Sequence, residues 1–125
     1  MIERFLVPGQ LAPVSHYCHV VRAGTQIWVS GAVGMRANGS IPDSTVEQFQ
    51  IALASIDACL KHVGAGPANV VKVNVYMTDI TERAAINPIR QQYFGEHLPA
   101  STLVEVRGLV DPRMKVEIEA VAVLT

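Results

Sequence analysis

The sequence predicts an α+β fold in which a mixed sheet of about six strands carries two helices on one face. Three observations support this prediction. Several short runs alternate apolar and polar residues, one long segment repeats apolar residues every three or four positions, and Gly or Pro residues separate these segments. The chain of 125 residues has the length of one domain, and we expect a single domain over residues 1–125.

The first third of the chain contains three runs rich in β-forming residues. A short strand is expected at "RFLV" (residues 4–7), because Pro8 and Gly9 end the run. The runs "SHYCHVV" (residues 15–21) and "QIWVSGAV" (residues 26–33) are joined by "RAGT", in which Gly24 tolerates a positive φ. These two runs are predicted to form an antiparallel hairpin.

A long helix is the clearest element of the sequence. In "STVEQFQIALASIDACLKHVGAG" (residues 44–66), Ser44 and Glu47 have the spacing of a capping box, and Gly64 is suited to end the helix. Between them, apolar residues recur at helical spacing: Val46, Phe49, Leu53, Ile56, Leu60 and Val63. One face of this helix must therefore pack on the sheet.

The second half of the chain is predicted to hold three more strands and a short helix. "NVVKVNVYMTD" (residues 69–79) alternates like a strand, with apolar residues from Val71 to Met77 on one face and polar residues from Lys72 to Thr78 on the other. Asn87 followed by Pro88 is typical of an N-cap with proline at the first helical position, which predicts a helix over residues 88–94. "STLVEVR" and "KVEIEAVAVL" are the last two strands, joined by the turn-prone "GLVDPRM".

The last strand places two carboxylates in a stretch that is otherwise apolar. Residues two apart on a strand share a face, so Glu117, Glu119, Val121 and Val123 line the face opposite to that of Val116 and Ile118. That face becomes apolar after the two glutamates, as expected of a surface that something covers. Since two helices cover only the other face, we expect self-association there, with Leu103 also on this face. The alternative is that these are scattered surface residues.

Composition and charge exclude several classes of function. The chain has 10 Lys and Arg against 11 Asp and Glu, a net charge of −1, and no basic patch interleaved with aromatic residues, which argues against nucleic acid as a partner. No apolar run is long enough for a membrane span, so we expect no membrane partner and a cytoplasmic protein. Cys18 and Cys59 form no metal-binding or disulfide pattern, and the spacing of His16 and His19 would separate them on a strand. We therefore expect no metal and no cofactor.

Several segments together resemble the RidA family, also called the YjgF/YER057c/UK114 family, whose members are small enamine and imine deaminases. They extend from about Ser15 to Val123: Tyr17 in "SHYCHVV", "VSG" at residues 29–31, Gln48 and Leu53 on the long helix, "VVKVNVYMTDI", Asn87, "PAS" at residues 99–101 and "VEIEAVAV".

The resemblance implies a chorismate-mutase-like fold that assembles as a homotrimer with ligand clefts between subunits. It implies that Glu117 is the catalytic residue, which positions and activates the attacking water. Tyr17, Gly31 and Asn87 match positions around the cleft, so these residues are expected to bind the substrate.

One departure from the family pattern concerns charge in the cleft. Ser101 stands where family deaminases have the arginine of Pro-Ala-Arg, which holds the substrate carboxylate. A hydroxyl offers one neutral donor instead of two charged ones, which favours a less charged ligand. Leu103 stands where the family commonly has cysteine or a small residue, and this larger apolar side chain likewise favours a less charged ligand. Arg90, where tyrosine is common, is the nearest candidate for a replacement cation, and its alternative is a solvated helix arginine; His16 and His19 are further candidates.

The sequence leaves three hypotheses about function. The first is a RidA-type hydrolase of a small enamine, imine or related carbonyl compound, with Ser101, Leu103 and Arg90 also in the substrate pocket. The second is a non-catalytic trimer that binds a small metabolite and has a regulatory role. The third, an endoribonuclease or translation inhibitor, lacks a basic groove and an identifiable acid and base pair.

Overall fold

The computed structural model describes all residues from Met1 to Thr125. Its centre is a six-stranded sheet with the order β1-β2-β3-β6-β4-β5. The strands β4 and β5 are parallel, and every other neighbouring pair is antiparallel, so the sheet is mixed as predicted. The strands are β1 (Ile2–Phe5), β2 (Val20–Ala23), β3 (Gln26–Val33), β4 (Val70–Met77), β5 (Ala100–Glu105) and β6 (Val116–Val123).

The long helix α1 (Thr45–His62) confirms Ser44 as the N-cap and the periodicity of its segment, but only one of the two bonds of the predicted capping box is present. The Ser44 hydroxyl accepts a hydrogen bond from the Glu47 amide at 3.2 Å, and Gly64 follows the helix with φ of 81°. The apolar face of α1 packs on β3 and β6. The apolar residues of α1 and the inward residues of the strands together form most of the core.

The second helix, α2 (Arg83–Phe94), is longer than the predicted helix. Asn87 is not its N-cap, because a 3₁₀ turn at Ile80–Glu82 leads into the helix five residues earlier than the sequence suggested. Pro88 lies inside the helix. It cannot donate to the carbonyl of Ala84, but both residues are exposed, so water can satisfy that carbonyl. The expectation of a helix starting at Pro88 was wrong.

The predicted first hairpin differs in its bounds. Residues 15–19, predicted to belong to the second strand, form an irregular segment, and β2 begins only at Val20. The backbone of His19 still bonds to both neighbouring strands: its amide donates to the Phe5 carbonyl and its carbonyl accepts from the Ser30 amide, each at 3.0 Å. The ring of His19 holds the segment after β1, since its Nδ1 accepts from the Val7 amide at 2.8 Å and its Nε2 lies 2.8 Å from the Leu11 carbonyl. The first strand is likewise Ile2–Phe5 and not residues 4–7.

The two faces of the sheet are unlike. Along β6 the residues facing the helices are buried, whereas Glu117, Glu119, Val121 and Val123 alternate with them and are partly exposed, as predicted. Both helices lie on the first face, and the hydroxyl of Tyr93 on α2 donates to Asp57 on α1 at 2.7 Å. We call the second face the open face.

The open face carries an apolar row that crosses three strands. Val21, Trp28 and Val121 are paired in register on β2, β3 and β6, and Trp28 is 41% exposed. Leu103 does not join them: it is in register with the buried Val75 and packs against the core, so the prediction that Leu103 lies on the open face was wrong.

Val71 also departs from the predicted alternation. The register between β4 and β6 shifts between Val70 and Lys72, and this irregularity leaves Val70 buried and Val71 47% exposed. Beyond this point the predicted alternation holds, with Val73, Val75 and Met77 buried. No helix in the structure has the length and apolar character needed to cross a membrane.

Candidate active site

Glu117 lies on the open face directly against the backbone of Gly31. The pairing of β3 with β6 shifts register between Val29 and Ala32, so the backbone of β3 bulges at this point. A Cβ atom at residue 31 would lie 2.0 Å from Oε2 of Glu117 and 2.9 Å from its Cδ. Only glycine therefore permits the observed position of the carboxylate.

The Glu117 carboxylate is half-buried and has no cationic partner. Burial raises the pKa of Glu117 above its ordinary value, and the neighbouring Glu119 raises this pKa further. Two cations close to Glu117 in the sequence are engaged elsewhere: Arg113 pairs with Asp111 at 2.9 Å, and Lys115 Nζ donates to the Asp43 carbonyl at 2.5 Å. Glu117 is thus a carboxylate whose proton affinity is increased, as general bases often require.

Glu119 is occupied by a hydrogen bond. The hydroxyl of Tyr76 donates to Glu119 Oε1, and this bond is the main cause that raises the pKa of Tyr76. The two glutamates therefore differ: Glu119 is fixed by Tyr76, and Glu117 is free to interact with a ligand or water.

Tyr17 lies close to Gly31 in the irregular segment before β2. Both residues line a small cavity together with Leu11, His19 and Ser30. The Tyr17 ring is 45% exposed, and its oxygen accepts from the Val14 amide at 3.3 Å. Glu117 does not line this cavity, whose walls include Ser55 and Cys59 of α1, so we call only Gly31 and Glu117 the acidic half-site.

Arg90 and Ser101 meet on the other side of the sheet. Arg90 Nη2 donates to Ser101 Oγ at 2.7 Å. Arg90 also lines a depression between α2 and β5, whose walls are formed by Ile80, Arg83, Asn87, Arg90 and Leu103. We call Arg83, Asn87, Arg90, Ser101 and Leu103 the basic half-site.

The basic half-site holds no neutralising carboxylate. The three ion pairs of the chain join Arg22 to Glu3, Lys61 to Asp57 and Arg113 to Asp111, so neither Arg83 nor Arg90 is paired. Arg90 is half-buried, and this burial lowers the pKa of its guanidinium. Arg90 is therefore partly, not fully, exposed to solvent.

A single chain does not bring the two half-sites together. Ser101 is in register with the buried Val73, and it contacts Arg90, so it faces the helices. Glu117 is on the open face, in register with Tyr76. The sheet therefore separates Glu117 from Arg90 within one chain.

Two residues next to the predicted ones were missed by sequence reasoning. Arg83 precedes Asn87 by four and Arg90 by seven residues, a helical spacing that aligns all three, but the helix had been predicted to begin only at Pro88. Tyr76 could have been found from strand alternation, since it is opposite Glu117 on the open face. The long-range pairing of β4 with β6 has no local sequence signal.

The two candidate histidines have different environments. Both ring nitrogens of His19 are engaged by backbone groups, and His16 is exposed. Cys59 is buried, and this burial raises the pKa of its thiol to about 11, which disfavours the reactive thiolate. No cluster of three or more His, Cys, Asp or Glu residues is placed to hold a metal ion.

Comparison with known proteins identifies relatives over nearly the whole chain. The family model described as Endoribonuclease L-PSP matches residues 8–124. A 2-iminobutanoate/2-iminopropanoate deaminase from Capra hircus is 37% identical over 114 residues, which cover 90% of this chain and 82% of that protein. TdcF from Escherichia coli is 31% identical over 127 residues, which cover 98% of this chain and 95% of that protein.

Solved structures agree with the sequence relatives. The structure of Escherichia coli TdcF with bound serine has a TM-score of 0.89 at 26% identity and covers 98% of this chain and 100% of that chain. A Mycobacterium tuberculosis member of the YjgF/YER057c/UK114 family has a TM-score of 0.87 at 30% identity and covers 99% and 100% of the two chains. From the family match, the identities and the shared fold, this chain belongs to the RidA family, the YjgF/YER057c/UK114 family whose sequence model is described as Endoribonuclease L-PSP.

Proposed function

We propose that this protein hydrolyses the C=N bond of a small imine or of the imine tautomer of an enamine, and that it does so as a homotrimer. The observation that carries the proposal is the half-buried, unpaired Glu117 carboxylate against the backbone of Gly31. The name of the Capra hircus relative, a 2-iminobutanoate/2-iminopropanoate deaminase, supports this reaction class.

The chemistry requires a base beside an electrophilic carbon. Glu117 takes a proton from a water molecule as the water oxygen bonds to the imine carbon, and the C=N π electrons move to nitrogen. Glu117 passes this proton to the nitrogen, which gives the neutral carbinolamine. Glu117 then takes the proton of the carbinolamine hydroxyl and delivers it to the same nitrogen, so that the C–N bond breaks, the C=O bond forms and ammonia leaves. A raised carboxyl pKa suits both the removal and the return of the proton.

Assembly supplies what one chain lacks. Glu117 lies on the open face, where the apolar row of Val21, Trp28 and Val121 also has no cover. The basic half-site lies at β5, the edge strand of the sheet. A neighbouring copy that packs its β5 edge against the open face covers the apolar row and brings its basic half-site to Glu117.

Release of ammonia from an imine generated in situ tests the proposal. We expect the unmodified protein to accelerate ammonia release from 2-iminobutanoate, and Glu117→Gln to lower this rate by about 100-fold or more, because an amide cannot accept the proton. Glu47→Gln is the matched control, since Glu47 is an exposed carboxylate in the first turn of α1. A Glu117→Gln rate equal to that of Glu47→Gln would contradict the role of Glu117.

A non-catalytic metabolite-binding trimer has a distinct outcome in the same experiment. It would bind imine or carbonyl ligands and show no turnover above buffer.

RNA cleavage, which the description of the family model names, needs an acid and a base at one phosphodiester. His19 near Gly31 is an unsuitable partner for Glu117, because both of its ring nitrogens are engaged by the backbone.

A further inference from the structure

Arg90 makes one side-chain hydrogen bond, and most of its hydrogen-bonding capacity is unused. A guanidinium has five N–H donors, and the structure assigns one of them to Ser101 Oγ at 2.7 Å. No carboxylate of the chain pairs with Arg90. Since Arg90 is half-buried and burial lowers its pKa, its charge lacks both full solvation and a counterion.

We propose that Arg90, carried by α2 and braced by Ser101 of β5, is the residue that binds the carboxylate of an anionic substrate. The planar guanidinium offers two parallel N–H donors to a carboxylate, a stronger arrangement than one neutral hydroxyl. Ser101 acts as a positioning residue, because it restrains the guanidinium at the mouth of the depression. The identification of this carboxylate as part of an imine rests on the function proposed above. The binding of a carboxylate by Arg90 does not depend on that function.

The depression around Arg90 fits a small anion. Its walls combine Arg83 and Asn87 with the apolar side chains of Ile80 and Leu103, and they include no acidic residue. Its volume is about 330 Å³, at the lower end of the range for ligand pockets. A short aliphatic acid matches this lining, since the cations face its carboxylate and Leu103 its carbon chain. This inference replaces the expectation from Ser101 alone, which favoured a less charged ligand.

Binding of two ligands that differ only in charge tests the proposal without turnover. The probes are 2-oxobutanoate and its neutral amide, 2-oxobutanamide, each titrated into the full-length protein and followed by chemical shifts in ¹⁵N-labelled samples. We expect the unmodified protein to bind the carboxylate about 10-fold or more tighter than the amide. We expect Arg90→Gln to weaken carboxylate binding by about 10- to 100-fold and to leave amide binding unchanged.

A matched control separates this role from a general loss of positive charge. Arg36 also donates from its guanidinium to a serine hydroxyl, that of Ser40 at 3.3 Å, but it is in the connection between β3 and α1. We expect Arg36→Gln to keep the preference for the carboxylate. Arg90→Lys retains the charge without the planar pair of donors. Compared with Arg90→Gln, it should restore the preference for the carboxylate over the amide only in part.

The role of Ser101 has its own variants. Ser101→Ala removes the acceptor for Arg90, so we expect weaker carboxylate binding and unchanged amide binding. Ser101→Thr keeps a hydroxyl and should restore carboxylate binding. Equal affinity of the unmodified protein for the two probes, or a preference that survives Arg90→Gln, would overturn the proposal. Because no probe is hydrolysed, this result is independent of whether Glu117 supports turnover.

Discussion

At the scale of single residues, Glu117 illustrates how a site residue departs from what stability alone favours. The residues adjacent to Glu117 on β6 are buried and apolar, and Glu119 shares the face of Glu117. Gly31 has no side chain, which leaves room for the Glu117 carboxylate. Burial and Glu119 both disfavour its ionised form. The position is therefore better suited to proton transfer than to stabilising the fold.

The pH dependence of stability follows from the raised pKa of Glu117. The folded state holds the proton more tightly than the unfolded chain, so the contribution of Glu117 to the free energy of unfolding decreases as pH rises through the ordinary value of 4.5 toward the raised pKa. We expect Glu117→Gln, which does not ionise, to be more stable than the unmodified protein at pH 7. Below about pH 4 this difference should disappear.

Urea denaturation at pH 7 and at low pH, at one chain concentration, measures this difference. Glu47→Gln is again the control: Glu47 is exposed in the first turn of α1, where a negative charge is favourable, so its loss should not stabilise the protein at pH 7. A Glu117→Gln variant that is equally or less stable than the unmodified protein at pH 7 would contradict the assigned environment of Glu117.

The sequence allowed some site residues to be predicted better than others. Alternation along "VEIEAVAV" correctly placed Glu117 and Glu119 on one face, because period-two patterns are local. The environment of Arg90 could not be predicted in this way. Its contact with Ser101 depends on how α2 packs beside β5, eleven residues further along the chain.

At the scale of elements, local signals predicted most of the fold and failed at the boundaries of two elements. The capping box and apolar repeat predicted α1 within a residue or two. The Asn87–Pro88 pair misplaced the start of α2, because the preceding 3₁₀ turn is fixed by Asp79, whose carboxylate accepts from the Thr81 amide at 3.0 Å. The strand predicted from Ser15 likewise begins only at Val20, and the ring of His19 instead binds the segment after β1.

Gln48 joins α1 to two loops. Its Nε2 donates to the carbonyls of Pro42 at 2.8 Å and Arg113 at 2.9 Å, and its Oε1 accepts from the Lys115 amide at 2.8 Å. The side chain is fully buried and lies so close to Gly34 that a Cβ there would be 2.3 Å from the Cβ of Gln48. Gln48 therefore fixes the start of β6, and with it the position of Glu117.

Replacement of Gln48 by leucine tests this connection. The variant leaves three backbone groups without their partner, so we expect the free energy of unfolding to fall by about 2–4 kcal/mol. Urea denaturation at a fixed chain concentration measures the change. Gln50→Leu on the same helix is the control, because Gln50 is exposed, and it should change stability by less than about 0.5 kcal/mol. Equal stability of the two variants would contradict this role of Gln48.

At the scale of the whole molecule, the sheet divides the candidate site. The acidic half-site and the apolar row occupy the open face, and the basic half-site faces the helices at the edge strand β5. Alternation in the sequence indicated an open face that needs cover, but it could not show what covers it. No single segment of the sequence carries that information.

Mixing two impaired variants tests whether each cleft uses two copies. Glu117→Gln and Arg90→Gln are refolded together in equal amounts, and ammonia release is measured with 2-iminobutanoate below its KM. If Glu117 and Arg90 of one cleft come from adjacent chains, each is intact with a probability of one half, so about a quarter of the clefts regain both residues. Native mass spectrometry of the mixture, with one variant ¹⁵N-labelled, shows whether the refolded assemblies contain both variants. Mixed assemblies without recovered ammonia release would place both residues of a cleft on one chain, and they would contradict the proposed assembly.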